Sequence, residues 1–447
     1  MTTTWTMTRR AALRTAVAAT ALPLVHIRTA GAAGKLTLGL WDHWVPAGNG
    51  AMKKIIEAWA EANKVEVGVD FITSVGNKNL LTIAAEAQSK TGHDVEAFPA
   101  WEVHNNLQNL EPVDDVVNGL IKQYGPLNPV CEYLTKINGH WMAVPSSSGT
   151  QYKPSCARIS VFKAAGADVQ AWFPAKAEHS PSADEWTWEK LLELAPAAQK
   201  AGMPFALGLG QTTDSVDFAG ALFRAYGAQL VNEKGEITVK TDTVRQALEY
   251  AVKLTRFLPP DVYSYDDASN NRALISGKAG LIFNPPSAWA VAKRDNPSVA
   301  ADCWTFPTPA GPKGRFVPHL PYNWGIWSFA KNKSAAKDLL THLAQREQVE
   351  TLSTAVSGYD IPPFPSMANF KVWEQVEPPL GTVYNYPIRP FHNATPSIAA
   401  LPAPPDIAVQ IYNRATMTTM IAKAAQGGLS IEQVLAWAQD ELEGFMR

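Results

Sequence analysis

The sequence predicts an α/β fold made of two packed units. Three observations carry this. The chain has 447 residues, 46% hydrophobic and 18% charged. That is too long for one ordinary domain and too apolar for disorder. From residue 35, strand-like alternation and helix-like spacing follow each other in β-α-β-α-β order. A second series of such elements begins near Trp141.

Lys35-Leu-Thr-Leu-Gly-Leu-Trp41 alternates like a strand, and Met52, Ile55, Ile56 and Trp59 then recur at helical spacing. Val65, Val67, Val69 and Phe71 alternate again. Leu80 to Gln88 reads as a second helix and Asp94 to Phe98 as a third strand. Short links in this order imply a parallel sheet covered by helices on both faces. Ligands of open α/β sheets bind outside the carboxyl ends of the strands. The loops there, 42–49, 73–77 and 99–104, carry Asp42, His43, Trp44, Trp101 and Glu102, with Trp41 at a strand end.

The second unit starts at the strand-like Trp141 to Val144. Thr187 caps a helix reaching Gln199, with Glu189 in its first turn. Val244, Ala247, Leu248, Ala251 and Val252 form one helical face, and Leu339, Leu340 and Leu343 another. Ser430 and Gln433 stand at capping-box spacing before a last helix to Phe445. Residues 359–407 are rich in Pro and aromatics and read as an ordered, irregular surface segment. Trp59 and Trp437 are assigned to helix cores, and Asp266 and Asp267 to a solvated turn.

The first 32 residues read as a signal peptide. They hold Arg9, Arg10, Arg14 and Arg28 but no acid, and end in Ala30-Gly31-Ala32. The pair in Thr8-Arg9-Arg10-Ala11-Ala12-Leu13 favours the twin-arginine route over an ordinary secretory signal. Losing four arginines from 39 basic residues leaves 35 against 41 acidic ones, a net −6. An exported, periplasmic protein without a lipid anchor is expected. The small net charge and the lack of a basic stripe argue against a nucleic-acid partner. Cys131, Cys156 and Cys303 are an odd set, so one thiol at least stays unpaired; a Cys131–Cys156 bridge is weighed against three buried thiols.

No HExxH, GxSxG, paired CxxC or Walker loop occurs, and Gly208-Leu-Gly210 lacks the third glycine of a dinucleotide fingerprint. The nine His include no two at metal-ligand spacing on one helix, so no metal and no cofactor is expected. Asp42, Glu102 and Asp360 leave open a glycosidase acid/base pair, although acids at such positions more often accept hydrogen bonds from ligand hydroxyls.

At Asn138-Gly-His-Trp-Met-Ala-Val-Pro145-Ser-Ser-Ser-Gly149-Thr150 the chain resembles the extracellular solute-binding proteins, family 1, of ABC importers. That group includes maltose- and glycerol-phosphate-binding proteins. Trp186-Thr-Trp-Glu-Lys-Leu-Leu, Ser276 to Asn284 with Trp289, Phe306-Pro-Thr-Pro-Ala-Gly311, Tyr322-Asn-Trp-Gly325-Ile326, and Leu339–Thr351 with Gly358–Pro362 follow in the family's order. The resemblance implies a type II periplasmic-binding-protein-like fold, two hinge-linked lobes around a central cleft. It places one lobe at 35–144 plus 307–355 and the other at 147–304 plus 358–447. It implies a monomer, hinge closure on a small-molecule solute, and docking on the transmembrane subunits of a permease. Asn323-Trp324-Gly325 stands where the family usually has paired glycines and puts a bulky ring near the cleft.

Sugar C–H faces stack on aromatic rings while their hydroxyls take planar polar partners. The stacking candidates are Trp44, Trp101, Trp289 and Trp324. The polar candidates are Asp42, His43, Glu102, Ser147, Ser148, Thr150, Asn284, Tyr322, Asn323 and Tyr359, although 146–150 also reads as a flexible hinge. Three functions stay open: a receptor for a sugar or polyol, the same receptor for a phosphorylated polyol or other charged solute, and a secreted carbohydrate-active enzyme. Phosphate calls for Arg, Lys or a helix N-terminus, and Lys78 is the nearest cation to the expected crevice loops.

Overall fold

The structure, a computed structural model, describes residues 34–175, 180–284, 286–375, 386, 388, 389 and 392–446. The signal expected in residues 1–32 lies outside them. Strand β1 (Lys35–Trp41) leads to helix α1 (Ala47–Asn63), strand β2 (Glu66–Ile72), helix α2 (Lys78–Ser89) and strand β3 (Val95–Pro99). The helical spacing of α1 puts Met52, Ile55, Ile56 and Trp59 on one buried face. Its end is set by Lys64, which turns left-handed at φ 56° and donates its N–H to the Ala60 and Glu61 carbonyls. Strand β1 lies between β2 and β3, parallel to both.

Next come β4 (Val144–Tyr152), β5 (Ser155–Arg158), α3 (Trp188–Lys200), α4 (Thr213–Ala225) and α5 (Asp242–Thr255). Then follow β6 (Leu281–Phe283), α6 (Ser287–Asp295), β7 (Cys303–Phe306), β8 (Gly314–Ile326), α7 (Lys333–Leu343), β9 (Ala394–Ser397), α8 (Pro405–Asn413) and α9 (Ile431–Phe445). Thr187 caps α3 by accepting the Lys190 N–H, and Ser430 with Gln433 forms a full capping box on α9.

Two sheets result. The larger is mixed rather than wholly parallel, because the 13-residue β8 joins it antiparallel to β3 and β4 and parallel to β9. The smaller runs β6-β5-β7, all antiparallel. The chain passes from the larger sheet to the smaller between Tyr152 and Ser155, and back between Phe306 and Gly314.

Two expectations change. Trp141 ends a two-residue hairpin strand and Val144 opens β4 of the larger sheet, so 141–144 is not one strand. Segment 359–407 is not a surface piece: Phe364, Met367, Phe370, Trp373 and Tyr386 are buried, and β9 pairs with β8. Side chains of that size gain roughly 1.5–3 kcal/mol each from leaving water. Residues 376–385 of this segment lie outside those described. Trp59 is buried, whereas Trp437 is only partly so, with the Lys423 ammonium 4.6 Å over its ring. All three cysteines are free and buried, so the Cys131–Cys156 bridge is not formed.

His319 sits inside the larger sheet against the Tyr152 ring, and neither of its nitrogens has a hydrogen-bond partner. Burial pushes its pKa down to about 3. The unfolded chain takes up this proton near pH 6.5 and the native chain refuses it. Stability is therefore expected to fall as pH drops from about 6.5 toward 3, by a few kcal/mol from this group alone. His319→Phe keeps a ring against Tyr152 and should flatten that slope by about one proton in pH-dependent urea unfolding. An unchanged slope would contradict the assignment.

Candidate functional site

A crevice opens at the carboxyl ends of the parallel strands, where open α/β sheets bind ligands. Trp41 ends β1; Trp44 follows it; Ser74 and Asn77 follow β2; Asn79 and Leu80 start α2; Pro99 ends β3. Gln151 of β4 with Leu320 and Tyr322 of β8 form the floor. The facing wall is Thr213 and Asp214 at the start of α4, Asp267, and Asn284 just after β6. The walls lie close, leaving a cavity of about 20 Å³. That is room for about one water.

The aromatic side is pre-packed. The Trp41 ring lies 6.3 Å from Tyr359, stacked, and 5.1 Å from Tyr322, and it meets Trp44 edge-on at 6.4 Å. Gly149 makes this fit possible. It sits at φ 86°, and a Cβ there would come within 2.8 Å of the Tyr322 ring and 3.0 Å of Trp41.

The polar side is built around a buried cation. Lys153, just past β4, places its ammonium 2.6 Å from Asp214 and 2.7 Å from Asp217. Burial pushes its pKa down, but the two carboxylates outweigh burial and the net shift is upward. Asp217 also accepts the Tyr412 hydroxyl at 3.0 Å. Asp214 accepts the amides of Asn270 at 2.9 Å and Asn284 at 3.1 Å. Asp267 completes the wall. Burial, then the charge of Asp214, raises its pKa to about 7, and its Oδ1 has no hydrogen-bond partner.

With this geometry in view, the comparisons with known proteins are decisive for kinship. The family model described as "Bacterial extracellular solute-binding protein" matches residues 45–350. The chain belongs to this family. Its members are solute-binding receptors, not enzymes. A search of curated proteins finds no match. Among solved structures, the maltose-bound MalE3 of T. maritima aligns with TM-score 0.72 at 19% identity, covering 92% of this chain and 99% of that one. A sugar transporter protein from Arthrobacter chlorophenolicus with bound laminaribiose aligns at 0.70 and 18%, covering 93% and 99%. A solute-binding protein from Agrobacterium vitis with bound D-mannitol aligns at 0.67 and 19%, covering 93% and 98%. At such identities the likeness shows the fold: two lobes of α/β structure.

Within this family fold, Trp41, Trp44, Asn284 and Tyr322 meet at the crevice. Tyr359 backs it, stacked on Trp41 and donating its hydroxyl to Gln151. His43 lies behind Trp41. Its Nδ1 accepts the Val45 N–H at 2.9 Å, so Nε2 carries the proton and donates to Asp360 at 3.0 Å. Asp360 also accepts the Gly149 N–H at 3.0 Å, joining the loop after β1, β4 and the 358–362 loop.

The other candidates lie away from the crevice lining. Asp42 accepts the Asn49 amide at 2.7 Å. Trp101 is wholly buried, its indole N–H on the Ala399 carbonyl at 3.2 Å. Glu102 is held by Asn105, Asn106 and Asn413, and burial raises its pKa. Trp289 is buried in α6 beneath Lys293, and Trp324 is buried opposite Ala97 and Val144. Asn323 is buried opposite Phe98, whose carbonyl takes its amide at 3.4 Å. Ser147, Ser148 and Thr150 are in β4 where it bulges, residues 147–150 standing opposite Pro321 between the Ser146–Tyr322 and Gln151–Leu320 pairs, and none of the three lines the crevice as Gln151 does. The 146–150 run is thus strand, with Thr150 Oγ1 accepting the Tyr322 N–H at 2.8 Å. Lys78 is exposed outside the crevice lining. Asp42, Glu102 and Asp360 are each tied to structural partners, so no acid/base pair forms from them.

Sequence reasoning missed Lys153, Asp214, Asp217 and Asp267, and read Asp267 as a solvated turn. The neighbouring Asp266 does fit that reading, bonded to Arg272 and Ser269 at the rim. One signal was available for Asp214: Thr212 is a capping residue, accepting the Ser215 N–H, and places Asp214 in the first turn of α4.

Two indole truncations should behave in opposite ways. Trp44→Ala is expected to weaken solute binding about tenfold in calorimetric titration, with stability changed by under ~1 kcal/mol. Trp101→Ala should cost about 3–5 kcal/mol in denaturant unfolding. Unchanged affinity in Trp44→Ala would remove that ring from the site.

Proposed function

We propose that this chain is the substrate-binding component of an ABC importer for a carbohydrate or polyol. The solute is captured in the crevice, which we take to lie between lobes at 35–144 plus 307–355 and 147–304 plus 358–447. Opening about the strand crossovers admits it, closure retains it, and the closed form docks on a membrane permease. Export fits the arginine-bearing leader of residues 1–32. Among the described residues no helix is long and apolar enough to cross a membrane.

The observation that carries this reading is the pairing of crevice indoles with two carboxylates, Asp214 and the buried Asp267, the latter with an oxygen without a partner. Carboxylates accept hydrogen bonds from hydroxyls, and indoles cover C–H faces. The same wall disfavours a phosphorylated solute. Among the described residues no Lys or Arg lines the crevice, Lys153 is committed to two aspartates, and the start of α4 already carries Asp214.

A thermal-shift screen tests the class. One group of neutral sugars or polyols should stabilise the protein, by about 2.7 kcal/mol at a hundred times Kd, and be recovered chemically unchanged. Stabilisation by phosphorylated polyols alone, or turnover of a glycoside, would overturn the reading. The crevice carboxylate adds a pH signature. As pH falls through about 7, Asp267 takes up a proton and loses an acceptor. Affinity should fall with it, and Asp267→Asn should bind at least about tenfold more weakly with no such slope. An equal slope in the variant would exclude Asp267.

A further inference from the structure

A second polar cluster lies outside the crevice, where α2, the turn after it, β2 and β3 converge. His93 Nδ1 is 2.7 Å from Glu86 Oε1 and 3.3 Å from Glu96 Oε2. Its other nitrogen, Nε2, is 3.1 Å from Asp70 Oδ2. One ligand atom from each of Glu86, His93 and Glu96 falls within a 4.8 Å span. Glu96 is 1% exposed, and the Oε2 it turns toward the cluster has only the His93 imidazole, at 3.3 Å, to meet its charge. Glu86 has its Oε2 engaged by the Trp327 indole N–H at 3.0 Å and the His93 N–H at 3.2 Å, which aims Oε1 inward.

Space for both carboxylates is made by glycines. A Cβ at Gly39, opposite Glu96 in the β1–β3 ladder, would lie 2.0 Å from Glu96 Oε2. One at Gly92, φ 145°, would lie 2.2 Å from Glu86 Cδ. The cluster also carries surplus negative charge, with three carboxylates around one imidazole.

We propose that Glu86, His93 and Glu96 form a binding site for one divalent transition-metal ion of the zinc class. His93 Nδ1, Glu86 Oε1 and Glu96 Oε2 are the ligands, and solvent takes the remaining position. Tetrahedral zinc with bonds near 2.1 Å sets its ligand atoms roughly 3.4 Å apart. The imidazole atom stands 2.7 and 3.3 Å from the two oxygens, so small side-chain shifts suffice. The imidazole selects against calcium and magnesium, which take oxygen ligands. Asp70 is the positioning residue. Accepting Nε2–H, it leaves Nδ1 to the metal, which would take the place of the proton Nδ1 shares with Glu86, as carboxylates beside metal-bound histidines do. The ion would fasten the far parts of two elements that reach the crevice: α2 through Asn79 and Leu80, and β3 through Pro99.

The test uses the full chain, stripped with EDTA and titrated with Zn²⁺, Co²⁺, Ca²⁺ or Mg²⁺ alone. One Zn²⁺ per chain should bind by calorimetry and raise Tm by several degrees, with Co²⁺ giving visible d–d absorption and Ca²⁺ and Mg²⁺ giving no shift. Glu96→Gln should abolish the shift. Asp70→Asn, at an exposed position, should fold normally and weaken Zn²⁺ binding roughly 10–100-fold. Absence of stoichiometric Zn²⁺ uptake, or uptake unaltered in both variants, would overturn the site.

Discussion

A lysine ammonium cannot be buried without counter-charge, and the buried Lys153 organises the crevice wall through the counter-charge it demands. It stands where the chain leaves the larger sheet for the smaller, between β4 and β5. Its partners Asp214 and Asp217 lie in the first turns of α4, and Asp217 in turn holds Tyr412 of α8. One charge thus locks a crossover, a helix start and a C-terminal helix together. Losing one member of such a buried pair costs about 3–5 kcal/mol. The arrangement fixes the crevice-facing end of α4 and orients Asp214 toward its asparagine partners.

The opposite wall is rigid for a different reason. Trp41, Tyr322 and Tyr359 pack ring on ring, and Gly149 lets them approach the strand that carries Gln151. The His43–Asp360 bond stands behind them and braces three segments. A pre-packed aromatic wall facing a wall of carboxylates and amides offers flat contact on one side and hydroxyl acceptors on the other. This division suits a neutral, polyhydroxylated solute and disfavours an anion.

The N-terminal β-α-β-α-β run was legible in the sequence because each element is patterned locally: Met52, Ile55, Ile56 and Trp59 for the first helix, alternation in 35–41 for the first strand. The caps at Thr187 and Ser430 were legible for the same reason. What escaped was long-range. Strand β8 sits antiparallel beside β3 across more than two hundred residues of sequence, and no local pattern records that pairing. The indoles show the same limit. Trp44 and Trp101 both follow strands of one sheet, yet only Trp44 lines the crevice, because Trp101 finds the Ala399 carbonyl. Lys153 precedes the α4 pair Asp214 and Asp217 by more than 60 residues, and the three become one cluster only in three dimensions. Glu86, His93 and Glu96 lie within a dozen residues but on helix, turn and strand, so no single-helix spacing marks them.

The most direct measurement is a crystal structure of the chain with the neutral sugar or polyol that binds it. The account predicts the solute between Trp44 and the Asp214–Asp267–Asn284 wall, with hydroxyls on the carboxylates and a C–H face on an indole. Solute density elsewhere, or a crevice that holds it through cationic side chains, would contradict the account.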